Sequence, residues 1–222
     1  AFSFFAGIVL VSFYVASSAL FLSTYGSGTI PWVYIASAFV ATIAGAIYYR
    51  VERRWEAYRL LSGTLFFILV SIVVLRMGLT ATDRPWPAFV LLTWFPVISG
   101  LMTVVLWTLA GSIFDVRQGK RLFGLVGGGE LLASVLGGAL TPLLVAELGT
   151  ANLLLISAGG VVGCFVTLSV TVRFTTPTQV THKTKARTEE TGTRIRFRDL
   201  LRSPYIRAIF TVYFVGTTTY QL

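Results

Sequence analysis

Residues 115–140 read DVRQGKRLFGLVGGGELLASVLGGAL. Three cations (Arg117, Lys120, Arg121), three consecutive glycines and two carboxylates (Asp115, Glu130) share this stretch. Such a mixture belongs either to a phosphate-cradling loop of a nucleotide enzyme or to the mouth of a membrane helix. A phosphate loop of the G-x-x-x-x-G-K-[ST] type needs its Lys after the glycines and a strand before them. Here Lys120 precedes Gly127, Gly128 and Gly129, and no strand pattern leads in. A dinucleotide fingerprint fails as well, because the glycines are contiguous and no βαβ pattern surrounds them. Read as a membrane helix, the stretch makes sense. Gly129, Ala133, Gly137 and Thr141 recur every four residues and form a stripe of small side chains. Small residues let helix backbones approach closely in lipid, where hydrophobic drive between helices is weak.

The remainder of the chain agrees. Hydrophobic residues make up 55% of the 222 residues, charged residues 12%, and mean hydropathy is +0.78. Globular domains carry about 25% charged residues. The charges are also clustered, leaving apolar runs near the ~20 residues needed to cross a ~30 Å hydrocarbon layer. The sequence predicts an all-α membrane bundle of six transmembrane helices and the start of a seventh. The expected helices cover residues 2–22, 31–49, 60–79, 88–114, 122–145 and 152–172, with the seventh starting near Pro204. Three regions follow: a six-helix bundle over 1–173, a basic linker with an interfacial amphipathic helix over 174–203, and a truncated seventh helix over 204–222. The chain reads as the first half of a longer protein.

Of the 18 Lys and Arg residues, all but Arg76 and Arg84 fall after helices two, four and six. Basic loops stay on the cytoplasmic face, which places the N-terminus inside. The net charge of +9 is thereby accounted for without nucleic acid. In RIRFRDLLRSPYIRAIF, Phe197, Leu200 and Leu201 take helical spacing opposite arginines, the pattern of a helix lying on anionic lipid. Cys164 excludes internal disulfides, and His182 has no partner in its polar loop. Nothing in the sequence calls for a metal or a cofactor. With no Ser–His–Asp set, no His or Cys cluster and no paired carboxylates within the apolar runs, the sequence does not read as an enzyme.

Glu130 stands out. The expected helix start puts it ~12 Å inside helix five, and an intramembrane carboxylate is a functional candidate by default. The structural alternative is an ion pair or hydrogen bond with a neighbouring helix. Ser134 continues its row. Trp107 on helix four is expected at a similar depth, with Thr103 and Ser99 one and two turns away. Tyr14, Ser17 and Ser18 give helix one a polar patch. Glu130, Trp107, Tyr14, Ser17 and Ser134 are therefore the candidate substrate or coupling residues. Arg117, Lys120, Arg121, Arg50, Arg53 and Arg54 form the candidate cytoplasmic gating or anion-attracting cluster.

Two resemblances sharpen these expectations. Six helices, a basic linker and a seventh helix resemble the first half of a major facilitator transporter. That superfamily carries G-x-x-x-D-R-x-G-R-R after helix two. This chain is similar there, with Gly45, Arg50, Arg53 and Arg54 in place, but Tyr49 and Glu52 replace the Asp and the second Gly. The stretch WTLAGSIFDVRQGKRLFGLVGGGELLASVLGG resembles the helix-four-to-five region of the ATP/ADP exchange carriers, above all their free-living bacterial relatives. ALFLSTYGSGTIPWVYI and the terminal TYQL extend the likeness. The resemblance implies an inner-membrane transporter that moves a small anionic metabolite, a nucleotide among the options, by alternating access between two six-helix halves. Two departures count against nucleotide exchange. Ser17-Ser18 stand where the exchangers have a Lys-Asp pair, and Phe95 stands where they have an acidic residue. A second reading stays open: a transporter-derived membrane module that no longer transports, and anchors or regulates a soluble sensor domain beyond Leu222.

Overall fold

A computed structural model describes residues 1–81, 84–113 and 116–174, with all their side chains except those of residues 113–123, 125 and 174. The described residues form six long helices: α1 (Phe2–Tyr25), α2 (Ile30–Glu52), α3 (Ala57–Ala81), α4 (Trp86–Ile113), α5 (Val116–Leu148) and α6 (Leu153–Phe174). All six are long and apolar enough to span a bilayer. With no water in the hydrocarbon layer, a helix is the way such a segment satisfies its own backbone. The molecule is an integral membrane protein. The expected seventh helix, the 174–203 linker with its amphipathic segment, and His182 lie outside the described residues.

Two turns show local logic. Gly26 closes α1 and Gly149 closes α5, at φ of 71° and 81°. Their N–H groups donate to the carbonyls of Leu22 and Val145. A left-handed residue after a helix is the position where Gly carries no Cβ penalty. A single 3₁₀ turn then leads from each into the next helix.

Packing follows an internal symmetry. α1 lies against α4, α5 and α6, while α4 lies against α1, α2 and α3, and α3 meets α6. Exchanging α1, α2 and α3 for α4, α5 and α6 maps this pattern onto itself. Burial obeys the same exchange: 44% of the apolar span is buried in both α1 and α4, 33% and 39% in α3 and α6, but only 11% and 6% in α2 and α5. Consecutive helices alternate direction, so the two triplets are inverted relative to one another, the nested repeat found in transporter halves. The core is made by Phe13, Leu65, Ile68, Leu91, Met102, Leu154 and their neighbours, all fully buried.

One expectation needs correction. Helix five begins at Val116, six residues before the expected Leu122. Arg117, Gln118, Lys120 and Arg121 are good helix formers; their charge marks the edge of the membrane, not the end of the helix.

Candidate functional site

The small-residue stripe does what its spacing demands. A Cβ on Gly129 would collide with Ser3 Oγ, and one on Gly137 would come within 3.0 Å of Val11. Ala133 is fully buried. In return a Cβ on Gly7 would lie 2.6 Å from Ala133 Cβ and 2.9 Å from the Glu130 carbonyl oxygen. Ser3, Gly7 and Val11 form their own four-residue row on α1, the complement of the α5 stripe. On α6, Gly160 meets Val9 and Gly163 meets the Phe5 ring, so the expected small-residue packing around Cys164 is present. Gly159 is the exception, with open space where its Cβ would be. Ser157 Oγ adds a cross-helix hydrogen bond, donating to the Val9 carbonyl at 3.3 Å.

This seam fixes the backbone of Glu130 against α1. Its carboxylate has no ion pair or hydrogen bond with any described residue, while its carbonyl accepts from Ser134 Oγ at 3.0 Å. Ser134 is thus spent on its own helix, in the manner of intramembrane hydroxyls. Glu130 itself is half-buried on the flank of the α1–α5 seam.

A second set of residues shares one open face of α1 and α4. Tyr14 is 51% exposed, and its ring centroid lies 5.1 Å from that of Phe95. From Phe95 a row at four-residue spacing runs through Ser99, Thr103 and Trp107. Thr103 and Trp107 are exposed, Ser99 partly so. Tyr14 and Phe95 therefore meet on one open face, and Trp107 lies exposed about three turns further along α4, toward the end bearing the arginines. The hydroxyls of Ser18, Ser99 and Thr103 donate to carbonyls of their own helices, leaving their lone pairs outward. Within the row Pro96 has no N–H to give the Leu92 carbonyl, a built-in weakness in the α4 ladder.

Ser17 does not join this face. It is fully buried, and its Oγ donates to the Tyr14 carbonyl at 3.0 Å. Adjacent polar residues in sequence point different ways on a helix, and the turn from 14 to 17 carries Ser17 into the bundle. Phe95, which stands where the exchange carriers have an acidic residue, packs on Tyr14 and so joins this face.

The basic cluster divides. Arg50, Arg53 and Arg54 lie exposed around the end of α2, and none has a carboxylate partner among the described residues. Arg53 instead sits 5.9 Å from the Tyr49 ring centroid, within cation–π range. Arg59 reaches Glu56 at 3.9 Å with both side chains over 70% exposed, a pair worth little. Arg117, Lys120 and Arg121 lie in the first turns of α5, and their side chains fall outside the described residues, as does Asp115.

A comparison with protein families matches the whole of residues 1–222 to one family model, described as Major Facilitator Superfamily. No curated protein and no solved structure matches the chain.

Proposed function

We propose that this chain, which belongs to the Major Facilitator Superfamily, moves a small anionic metabolite of the nucleotide type by alternating access across a bacterial inner membrane. Secondary transport follows from the family; the substrate, the membrane and the mechanism are our reading. The observation that carries it is the open α1–α4 face, on which Tyr14, Phe95 and Trp107 offer aromatic surfaces beside outward-facing hydroxyl oxygens. Aromatic rings of this kind stack on a planar ring at 4.5–7 Å separation. A second six-helix half, seated across α2 and α5, would close this face into a cavity, and rocking of the halves would expose it to either side.

Glu130 is the coupling carboxylate in this reading. A carboxylate inside the apolar span, with no partner among the described residues, is costly there, and binding a proton or a cation relieves that cost. Arg50, Arg53, Arg54, Arg117, Lys120 and Arg121 share the end that positive-inside bias assigns to the cytoplasm, together with the N-terminus. Their summed field raises the local concentration of anions at the mouth.

Purified full-length protein in liposomes decides the matter. Uptake of labelled nucleotides and of non-nucleotide organic anions should be saturable, abolished by Glu130→Gln, and lowered by Trp107→Ala. Absence of any anion flux from protein that remains monodisperse would overturn transport. The second reading, a transport-silent module that regulates a soluble domain, gains support from one feature. Arg76 is the single cation within the described spans α1, α3, α4 and α6 away from their basic ends, and Asn152 already engages it.

A further inference from the structure

A groove of about 570 Å³ opens between α2, α3 and α4, on walls that take no part in the Tyr14–Trp107 face. It exists because α2 and α3 barely touch, leaving α4 as its floor. Its walls are apolar: Ile43 and Ile47 from α2, Phe67 from α3, Val97 and Leu101 from α4. Along α2 it extends from Val40 to Val51, a rise of ~16 Å. That is the depth of one leaflet of a ~30 Å hydrocarbon core. It therefore occupies only the half of the membrane nearest the arginines, and one end of it is formed by Val51 and Trp55.

Polar features are few. Thr64 and Trp94 line the groove with their hydrogen bonds already made, to the Leu60 carbonyl and to Ser71 Oγ. Tyr48 Oη is buried, with no partner among the described residues. Just beyond it stand Arg50, Arg53 and Arg54, which bracket Val51 and lead into Trp55, none of them neutralised by a described carboxylate.

We infer that the groove is a site for a single anionic phospholipid of the leaflet nearest the arginines. One acyl chain lies along Ile43, Ile47 and Phe67, and the headgroup phosphate rests among Arg50, Arg53 and Arg54. Charge complementarity chooses this occupant over others. A second copy of the chain would bring the same arginines to the same place. The sequence after residue 173 is itself net basic, with Lys183, Lys185, Arg187, Arg194, Arg196 and Arg198 against Glu189, Glu190 and Asp199. A free anion has no use for an apolar trough. Basic pockets between helices at the membrane surface are known holders of anionic headgroups.

Native mass spectrometry of the full chain in nonionic detergent tests the site, using phosphatidylglycerol and phosphatidylcholine with identical acyl chains. One phosphatidylglycerol should stay bound at about tenfold lower added lipid than phosphatidylcholine. Changing Arg50, Arg53 and Arg54 together to Gln should bring the two lipids level, and Ala44→Trp should remove retention of both. Equal retention of the two lipids by the unaltered chain, meaning a general lipid coat only, would overturn the site. So would undiminished preference in the triple Gln variant. That variant alters exposed side chains alone, so the test stands even if Ala44→Trp does not fold.

Discussion

The α1–α5 seam and the α4–α2 seam are symmetry mates, yet they are built from opposite materials. In the first, Gly129, Ala133 and Gly137 let α5 settle on Ser3, Gly7 and Val11 until backbone meets backbone. In the second, α2 and α4 are also in contact, but α2 and α3 barely meet, and the lipid-sized groove opens beside the seam. Repetition of an architecture therefore does not repeat its packing. Small side chains close one seam by dispersion contacts, and the other is left for something from outside the chain to fill.

The sharpest way to break this comparison is to add bulk to the closed seam. Gly7→Val should be the most damaging substitution, since even its first carbon would lie inside contact distance of Ala133 Cβ and the Glu130 carbonyl. Neither neighbour can rotate away, so a loss of about 3 kcal/mol is expected, at the upper end of overpacking costs. Thermal unfolding of purified protein in detergent should show a clear drop in midpoint. A variant that melts with the parent would mean that α5 does not sit on α1 in this way.

Next in size is the tie at the far end of α5. Arg76 Nη2 donates to Asn152 Oδ1 at 2.7 Å, and Asn152 Nδ2 donates in turn to the Leu148 carbonyl at the α5 terminus. Through Asn152, α3 holds the turn that leads α5 into α6. Arg76→Leu leaves the Asn152 oxygen unpaired and should cost about 2 kcal/mol, typical of a hydrogen bond from a charged donor. Hydrogen exchange should quicken at residues 148–152 while the Gly7 region stays protected. If exchange rises equally along α1, the tie acts on the whole bundle and the seam is not independent of it.

At the groove seam the same kind of bulk should cost less. A Cβ on Gly63 would lie 3.3 Å from Trp55 Cζ3. Trp55 is more than half exposed and can swing aside. Gly63→Val is expected to lower stability by about 1 kcal/mol or less, a third of the Gly7 effect in the same melting experiment. Equal effects would show that the groove wall is as rigid as the closed seam.

Sequence carried the bundle and one side of its key interface, for reasons that differ by residue. Apolar length alone gives six spans, because bilayer thickness leaves little choice. The Gly129–Thr141 stripe was legible since period four is the helix's own. Its partner was not, because Ser3 and Val11 are unremarkable until Gly7 is seen to touch Ala133. Tyr14 and Trp107 were found as polar-tipped aromatics in apolar surroundings. Phe95 carries no polar signal and emerged only through its ring contact with Tyr14. Ser17 went the other way, since nearness in sequence hid its inward direction. The groove could not be read at all: it depends on α2 and α3 failing to meet, and no single residue encodes a gap.

The smallest expected effect separates the two uses of glycine. Gly45 and Gly138 sit on α2 and α5, and a Cβ on either would meet nothing within 4 Å. Their smallness has no service inside this bundle, unlike that of Gly7 or Gly129. Gly45→Val and Gly138→Val should change stability by no more than about 0.5 kcal/mol, the usual range for surface positions. If α2 and α5 are the faces on which a second half seats and rocks, the same two variants should nonetheless slow flux in liposomes. Unchanged melting with reduced flux would place the moving contact on these two helices. Unchanged melting with unchanged flux would move it elsewhere and leave their open faces to lipid.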